Sequence, residues 1–358
     1  MTGTPPTEPP PERRRAPSSQ LALGVLVFVA TFVLLLGLAS VWTRDGRGPG
    51  ASPGAGTPTT GSISPAPSSS APAATSPTPS ASSAPASPSP TTTSAAVLVG
   101  AGDIGDCNAD EDSATAALLD GIEGTVFTAG DNAYENGTAK EFATCYEATW
   151  GRHKSRTRPA PGNHDWRTSG LSGYLDYFGD AARGPDGDSW YSYDLGGWHV
   201  IVLDSECEKV DGCGPDSRQG RWLAADLEAS AARCTVAIWH KPRFTSGEHG
   251  NDRSVAPFWT ALYDGGVDVV INGHDHDYER FAPQDPSAQE DRERGIREFV
   301  VGTGGTPLRR FEQPVANSEL RAAVVHGVFK LTLREASYDW EFVPVSGEFR
   351  DSGTAFCH

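Results

Sequence analysis

Six side chains of the kind that bind ligands, Asp103, Asp131, Asn163, His240, His274 and His276, each fall at the end of a strand-length segment or in the loop just after it. The segments are AVLVGA before Gly102-Asp103, TVFTA before Gly130-Asp131, RPAP before Gly162-Asn163, TVAIW before His240 and VDVVIN before Gly273-His274-Asp275-His276. A chain that ends successive strands this way is restricted to sheets with helices packed outside, where strand ends share one edge and ligands bind along it. One Gly-Asp pair is an ordinary turn. Two of them, followed in order by Gly-Asn-His-Asp and Gly-His-x-His, point to a metal centre. The glycines before Asp103, Asp131 and Asn163 predict sharp turns that present the following side chain.

Between these blocks, residues 113–122, 140–151, 218–233 and 256–264 carry helical spacing, and 190–206 reads as an antiparallel hairpin around Gly196-Gly197. Residues 267–280 read as one strand, while 297–305, 327–347 and the tail supply an antiparallel run. Two carboxylates, an amide oxygen and three imidazoles exceed the needs of one tetrahedral zinc but suit two neighbouring ions that share a carboxylate. Such a pair, about 3.5–4 Å apart, clamps the attacking and departing oxygens in phosphoester hydrolysis and lowers the pKa of a bridging water.

The first 96 residues are different in kind. They hold five basic and three acidic side chains, so the −17 of the whole chain places −19 on residues 97–358. So acidic a domain repels nucleic-acid backbones and excludes a nucleic-acid partner. Residues 1–20 read as a cytoplasmic tail. Residues 21–42 carry no charge, and as a helix they would span about 33 Å, enough to cross a hydrocarbon core of ~30 Å. Arg13, Arg14 and Arg15 before this segment place the N-terminus inside and residues 43 onward outside. The rival reading is a cleaved signal with Gly37 and Ala39 near the cut. Residues 43–96, nearly all Ala, Gly, Pro, Ser and Thr, cannot offset the entropy of folding and predict a disordered stalk. The catalytic part is therefore expected outside the cytoplasm, on a single membrane anchor or secreted if the signal is cut. All six cysteines lie beyond residue 100, as disulfides in an exported domain require. Cys207 and Cys213 flank a short loop, Cys234 and Cys357 would pin the terminus, and Cys107 and Cys145 pair by elimination.

The blocks GDIG (102–105), GDNAY (130–134), GNHD (162–165), AIWH (237–240) and GHDHDYER (273–280) resemble those of the calcineurin-like metallophosphoesterases across residues 97–358. The resemblance is to the purple acid phosphatase branch: Gly105 stands where most of the superfamily has a ligand histidine, and Tyr134 supplies the replacement ligand. It implies a four-layer αββα sandwich of two mixed β-sheets flanked by helices. It also implies Fe(III) on Asp103, Asp131, Tyr134 and His276, with Asp131 bridging to a divalent Fe, Zn or Mn ion on Asn163, His240 and His274. His164 and His249 are the implied outer-sphere catalytic histidines. The expected reaction is hydrolysis of a small phosphate monoester by metal-bound hydroxide; a phosphodiesterase of the same superfamily and a silent surface binding module are the alternatives.

Other features carry ordinary readings. Asp165 is expected to orient its loop or a neighbouring imidazole rather than bind metal, as carboxylates behind metal ligands do. Arg280 either orients substrate or forms a structural salt bridge. His153, His199, His326 and His358 lack motif context, and residues 302–306 read as a turn near the site, with no phosphate-loop lysine. Oligomeric state has no signature in the sequence.

Overall fold

A computed structural model describes residues 95–358. The tail, the apolar segment 21–42 and all but the end of the stalk lie outside the described residues. Among the described residues no helix is long and apolar enough to cross a membrane.

The strands of the two large sheets, in chain order, are β1 (Ala96–Ala101), β2 (Thr125–Ala129), β3 (Thr157–Ala160), β4 (Tyr191–Leu195), β5 (Trp198–Val202), β6 (Cys234–Ile238) and β7 (Val269–Asn272). They continue with β8 (Tyr278–Phe281), β9 (Arg297–Val301), β10 (Ser318–Ala322), β11 (Gly327–Leu333), β12 (Ser337–Pro344) and β13 (Asp351–Phe356). The main helices are α1 (Glu111–Asp120), α2 (Ser172–Phe178), α3 (Arg218–Ala229) and α4 (Ala256–Asp264).

One sheet has six strands in the order β13-β12-β11-β1-β2-β3, and the other seven in the order β10-β8-β9-β7-β6-β5-β4. Each has a parallel part: β1, β2 and β3 in the first, and β5, β6, β7 and β9 in the second. Alternate residues of these strands face opposite sides. Leu98, Phe127, Val200, Val236, Ile271 and Phe299 fill the space between the sheets. Their neighbours turn outward: Val99 and Val126 meet Leu119 of α1, while Ile201, Ala237 and Val270 meet Leu223 of α3 and Phe258, Trp259 and Leu262 of α4. Both faces of each parallel strand are covered, which is why the strands read as nearly continuous apolar runs. Two mixed sheets with helices on both outer faces are the expected sandwich.

The hairpin at 190–206 and the helix at 256–264 lie where expected. Elsewhere the chain departs from its reading. Residues 267–280 are two strands: backbone bonds from Asp275 N to Gly273 O and from Asp277 N to Asp275 O fold the intervening loop tightly on itself. β9 joins the seven-stranded sheet between β7, to which it is parallel, and β8, to which it is antiparallel, while β11, β12 and β13 form an antiparallel run in the other sheet. Residues 139–156 are a broken helix. A Thr138–Glu141 capping box starts it, a π-helical turn covers Phe142–Tyr146, and a 3-10 turn covers Trp150–Arg156. The breaks bring Phe142, Tyr146 and Trp150 together into the core. The three disulfides are Cys107–Cys145, Cys207–Cys213 and Cys234–Cys357, as expected.

Candidate metal centre

The C-terminal ends of the parallel strands of both sheets open onto one edge. There the loops after β1, β2, β3, β6 and β7 place Asp103, Asp131, Asn163, His240 and the His274–His276 pair. The turns follow the expectation only in part: Gly130 takes positive φ, 86°, but Gly102 and Gly162 do not. Asp103, Asp131 and His274 themselves take left-handed backbone, with φ of 60°, 50° and 72°. Asp and His are among the non-glycine residues that tolerate this conformation, and such strain gathers at functional sites. The glycines chiefly give room. A Cβ on Gly162 would lie 2.2 Å from Asp131 Oδ1, and one on Gly130 would lie 2.4 Å from His240 Nδ1. The bare backbones are what let the ligand side chains of neighbouring loops close on one another.

The seven expected ligand residues form two groups that meet at one atom. Tyr134 Oη lies 2.7 Å from Asp103 Oδ1, 3.1 Å from Asp131 Oδ2 and 3.4 Å from His276 Nε2. His240 Nε2 lies 3.1 Å from the same Asp131 Oδ2, 3.1 Å from Asn163 Oδ1 and 3.1 Å from His274 Nδ1. Asp131 Oδ2 thus belongs to both groups. Its other oxygen, Oδ1, accepts the His164 backbone N–H at 2.7 Å.

The donor set fits cations. His240 Nδ1 donates to Ala129 O at 2.8 Å and His276 Nδ1 to Pro307 O at 3.0 Å, so each ring turns its Nε2 lone pair inward. His240 Nε2 then faces a carboxylate oxygen, an amide oxygen and an imidazole nitrogen at once, and a single proton can satisfy only one of them. Burial disfavours a charged His240, yet the Asp131 carboxylate overcomes it and pushes the imidazole up to about 10. Burial and then the carboxylates of Asp103 and Asp131 hold the Tyr134 phenol well above its ordinary value. Burial, with the charges of His240 and His249, pushes His274 well below the usual imidazole range. At Tyr134 the buried carboxylates add to the effect of burial, and a bound multivalent cation would oppose both and favour the phenolate.

Asp165 organises rather than ligates. It accepts from Gly162 N at 2.9 Å and from Asn132 Nδ2 at 2.9 Å, tying the second loop to the third. His164 and His249 both line the cleft above the two groups, together with Tyr134, Asn163, His274 and His276. His164 packs on the Tyr134 ring at 4.3 Å between centroids, and His249 stacks on His274 at 4.1 Å. Thr306 of the 302–306 turn bonds the Asp103 carbonyl at 3.2 Å, so that turn does buttress the site. Arg280 does not reach the cleft: it pairs with Asp351 and Glu319. His153, His199 and His358 pair with Asp120, with Asp194 and Asp226, and with Asp268, outside the cleft. Sequence reasoning missed Arg167, Lys241 and Arg309, which also line the cleft. Arg167 is three residues past His164 and Lys241 directly follows His240, a signal that was available. Arg309 had none.

With this geometry in place, the comparisons with known proteins are decisive at the family level. The family model for calcineurin-like phosphoesterase matches residues 97–278. The chain belongs to that family. Purple acid phosphatase 21 of Arabidopsis thaliana is 32% identical over 214 residues, covering 51% of this chain and 46% of that protein. An uncharacterised protein of Mycobacterium tuberculosis is 30% identical over 185 residues, covering 41% of this chain and 35% of its own. The solved purple acid phosphatase PPD1 from yellow lupin seeds shares the fold with a TM-score of 0.59 at 21% identity, over 75% of this chain and 55% of that one. The chain spans less than half the length of these curated relatives. Within the calcineurin-like phosphoesterases its similarity is to purple acid phosphatases.

Proposed function

We propose that residues 97–358 form a binuclear phosphatase that hydrolyses phosphate monoesters. Fe(III) would be held by Asp103, Asp131, Tyr134 and His276. A divalent Fe, Zn or Mn ion would be held by Asp131, Asn163, His240 and His274. The observation that carries this reading is the single oxygen, Asp131 Oδ2, placed 3.1 Å from both Tyr134 Oη and His240 Nε2. Bound there, the two ions supply an activated water and neutralise charge on the phosphoryl oxygens.

The chain's own residues do the rest. His164 commits Nδ1 to the Glu135 carbonyl at 2.7 Å, and His249 commits Nδ1 to Asp275 Oδ1 at 2.8 Å. In each ring Nδ1 is therefore spent, and Nε2, which accepts from an arginine while the ring is neutral, is the nitrogen that would have to be protonated before it could hand a proton to the leaving oxygen or hold a phosphoryl oxygen. The buried Asp275, which also accepts from Thr245 at 2.6 Å, keeps the His249 ring over His274. The small monoester is the expected partner; the rest of the molecule is too acidic to attract a polyanionic nucleic acid. An extracytoplasmic site, with residues 21–42 as anchor or as a cleaved signal, agrees with the use of all six cysteines in disulfides.

The test is metal content by element, with rates on 4-nitrophenyl phosphate and bis(4-nitrophenyl) phosphate at mildly acidic pH. Two ions per chain and a faster monoester support the proposal. A faster diester moves the chain to phosphodiesterases, and a loaded chain that turns over neither ester leaves the binding module. Thiol alkylation before and after reduction of cell-derived protein checks the compartment: free thiols before reduction contradict it.

A further inference from the structure

The two cleft histidines are braced in the same manner from opposite sides. Each donates Nδ1–H to an oxygen and accepts at Nε2 from an arginine: His164 from Arg167 Nη2 at 3.2 Å, and His249 from Arg309 Nη1 at 2.8 Å. An imidazole acceptor does not cancel the guanidinium charge; Arg309 keeps most of its donors, while Arg167 also gives Nη1 to the Glu135 carbonyl at 2.9 Å. The carboxylates around these arginines take up only part of that capacity. Arg167 Nη1 lies 3.0 Å from Glu135 Oε2, while Arg309 Nε is 3.9 Å from Glu248, outside hydrogen-bond range. Lys241, by contrast, is spent on Glu206 at 2.7 Å.

Both arginines are set against the metal-facing loops by backbone bonds. Arg309 N donates to His276 O at 2.9 Å and Arg167 N to His164 O at 3.2 Å. The cleft they flank, about 940 Å³ in volume, is far larger than one phosphate requires. Beside the metal-facing residues its lining carries Arg167, Lys241 and Arg309 against Asp106, Glu135 and Asp252. A balanced lip on so acidic a domain is a local point of entry for a polyanion.

Resting on the phosphatase reading, we propose that Arg167 and Arg309 form a second anion station at the lip. It selects substrates whose leaving group is or carries another phosphate: diphosphates, cleaved at the anhydride bond, and bisphosphate monoesters. A guanidinium fork matches a phosphate edge, which a lysine cannot do. The metal groups would take the scissile phosphoryl group and the arginines the remaining one.

The test uses the metal-loaded chain and two non-hydrolysable probes, methylphosphonate and methylenediphosphonate, with binding measured by calorimetry. Arg167→Ala and Arg309→Ala are each expected to weaken methylenediphosphonate about tenfold, the value of one charged hydrogen bond, and methylphosphonate less than about threefold. The kcat/KM ratio of pyrophosphate over 4-nitrophenyl phosphate should fall by about the same tenfold factor. Arg309→Lys should recover only part of the loss. Equal weakening of both probes would make the arginines part of the first phosphate site and overturn the proposal, as would no weakening of either. If the unaltered protein binds methylenediphosphonate through the arginines but never hydrolyses 4-nitrophenyl phosphate, the phosphatase reading fails while the anion station stands.

Discussion

The two halves of the proposed metal centre are built from opposite chemistry although they share an atom. The half around Tyr134 gathers the carboxylates of Asp103 and Asp131, a phenol that a bound cation would ionise and one imidazole, His276, and draws its three oxygen donors from loops of the six-stranded sheet. The half around His240 gathers two imidazoles and an amide, two of the three from the seven-stranded sheet, and borrows its only anion from Asp131. Hard anionic oxygens suit a trivalent ion, while imidazole and amide suit a divalent one. The two-sheet architecture thus sorts charge across the cleft, and Asp131 couples the two sides.

The comparison breaks most easily at Asp131. Asp131→Asn should remove the shared anion from both halves, lowering bound metal to below one ion per chain. It should cut hydrolysis by roughly a thousandfold or more, the loss expected when several kcal/mol of transition-state charge stabilisation disappear. Metal analysis beside kcat decides it; loss of one ion alone would show that the halves are independent. Tyr134→Phe sharpens the contrast by removing one oxygen while keeping the buried ring. The visible tyrosinate-to-iron band should vanish while the divalent ion stays, so an unchanged spectrum would take Tyr134 out of the iron site. Asn163→Ala touches only the neutral half. Titration with a chelator should then release the divalent ion at lower concentration than in the unaltered chain, with the iron unmoved; equal loss of both would erase the distinction drawn here.

Much of this centre was legible before any coordinates, for a physical reason. Strand ends are fixed by apolar runs, and ligand side chains at strand ends need only local sequence to be seen. Asp103, Asp131, Asn163, His240 and His274 were all found that way, and the structure brings them together. What the sequence could not carry was long-range pairing. β9 reads like any apolar strand, and nothing in REFVV says that it lies parallel to β7. Arg309 reaches the cleft through a loop held to His276 by backbone bonds, which leave no trace in side-chain type. Gly130 does turn the chain with positive φ, as read, but the role of Gly162 was misread for a related reason: there the demand comes from Asp131 in another loop, not from the turn in which the glycine sits.

A histidine outside the cleft supplies the control for the whole contrast. His199 lies between Asp226, 2.8 Å from Nε2, and Asp194, 3.0 Å from Nδ1, so both ring nitrogens donate and no acceptor is left facing another. Burial lowers its pKa, but the bonds to Asp226 and Asp194 outweigh it and the net shift is upward. A raised folded pKa means that the folded state holds the proton more tightly. The stabilisation is therefore fully present below the unfolded value of about 6.5 and is lost as pH rises through the folded value. His199→Gln should cost about 1–2 kcal/mol in urea unfolding at pH 5.5 and much less at pH 9. Because His199 is satisfied by protons alone, a chelator should leave that difference unchanged, whereas any stability owed to His240 should fall when metal is stripped. A chelator-dependent His199→Gln effect would mean that the two sites are energetically linked, and the separation between a proton-satisfied and a cation-satisfied histidine would not hold.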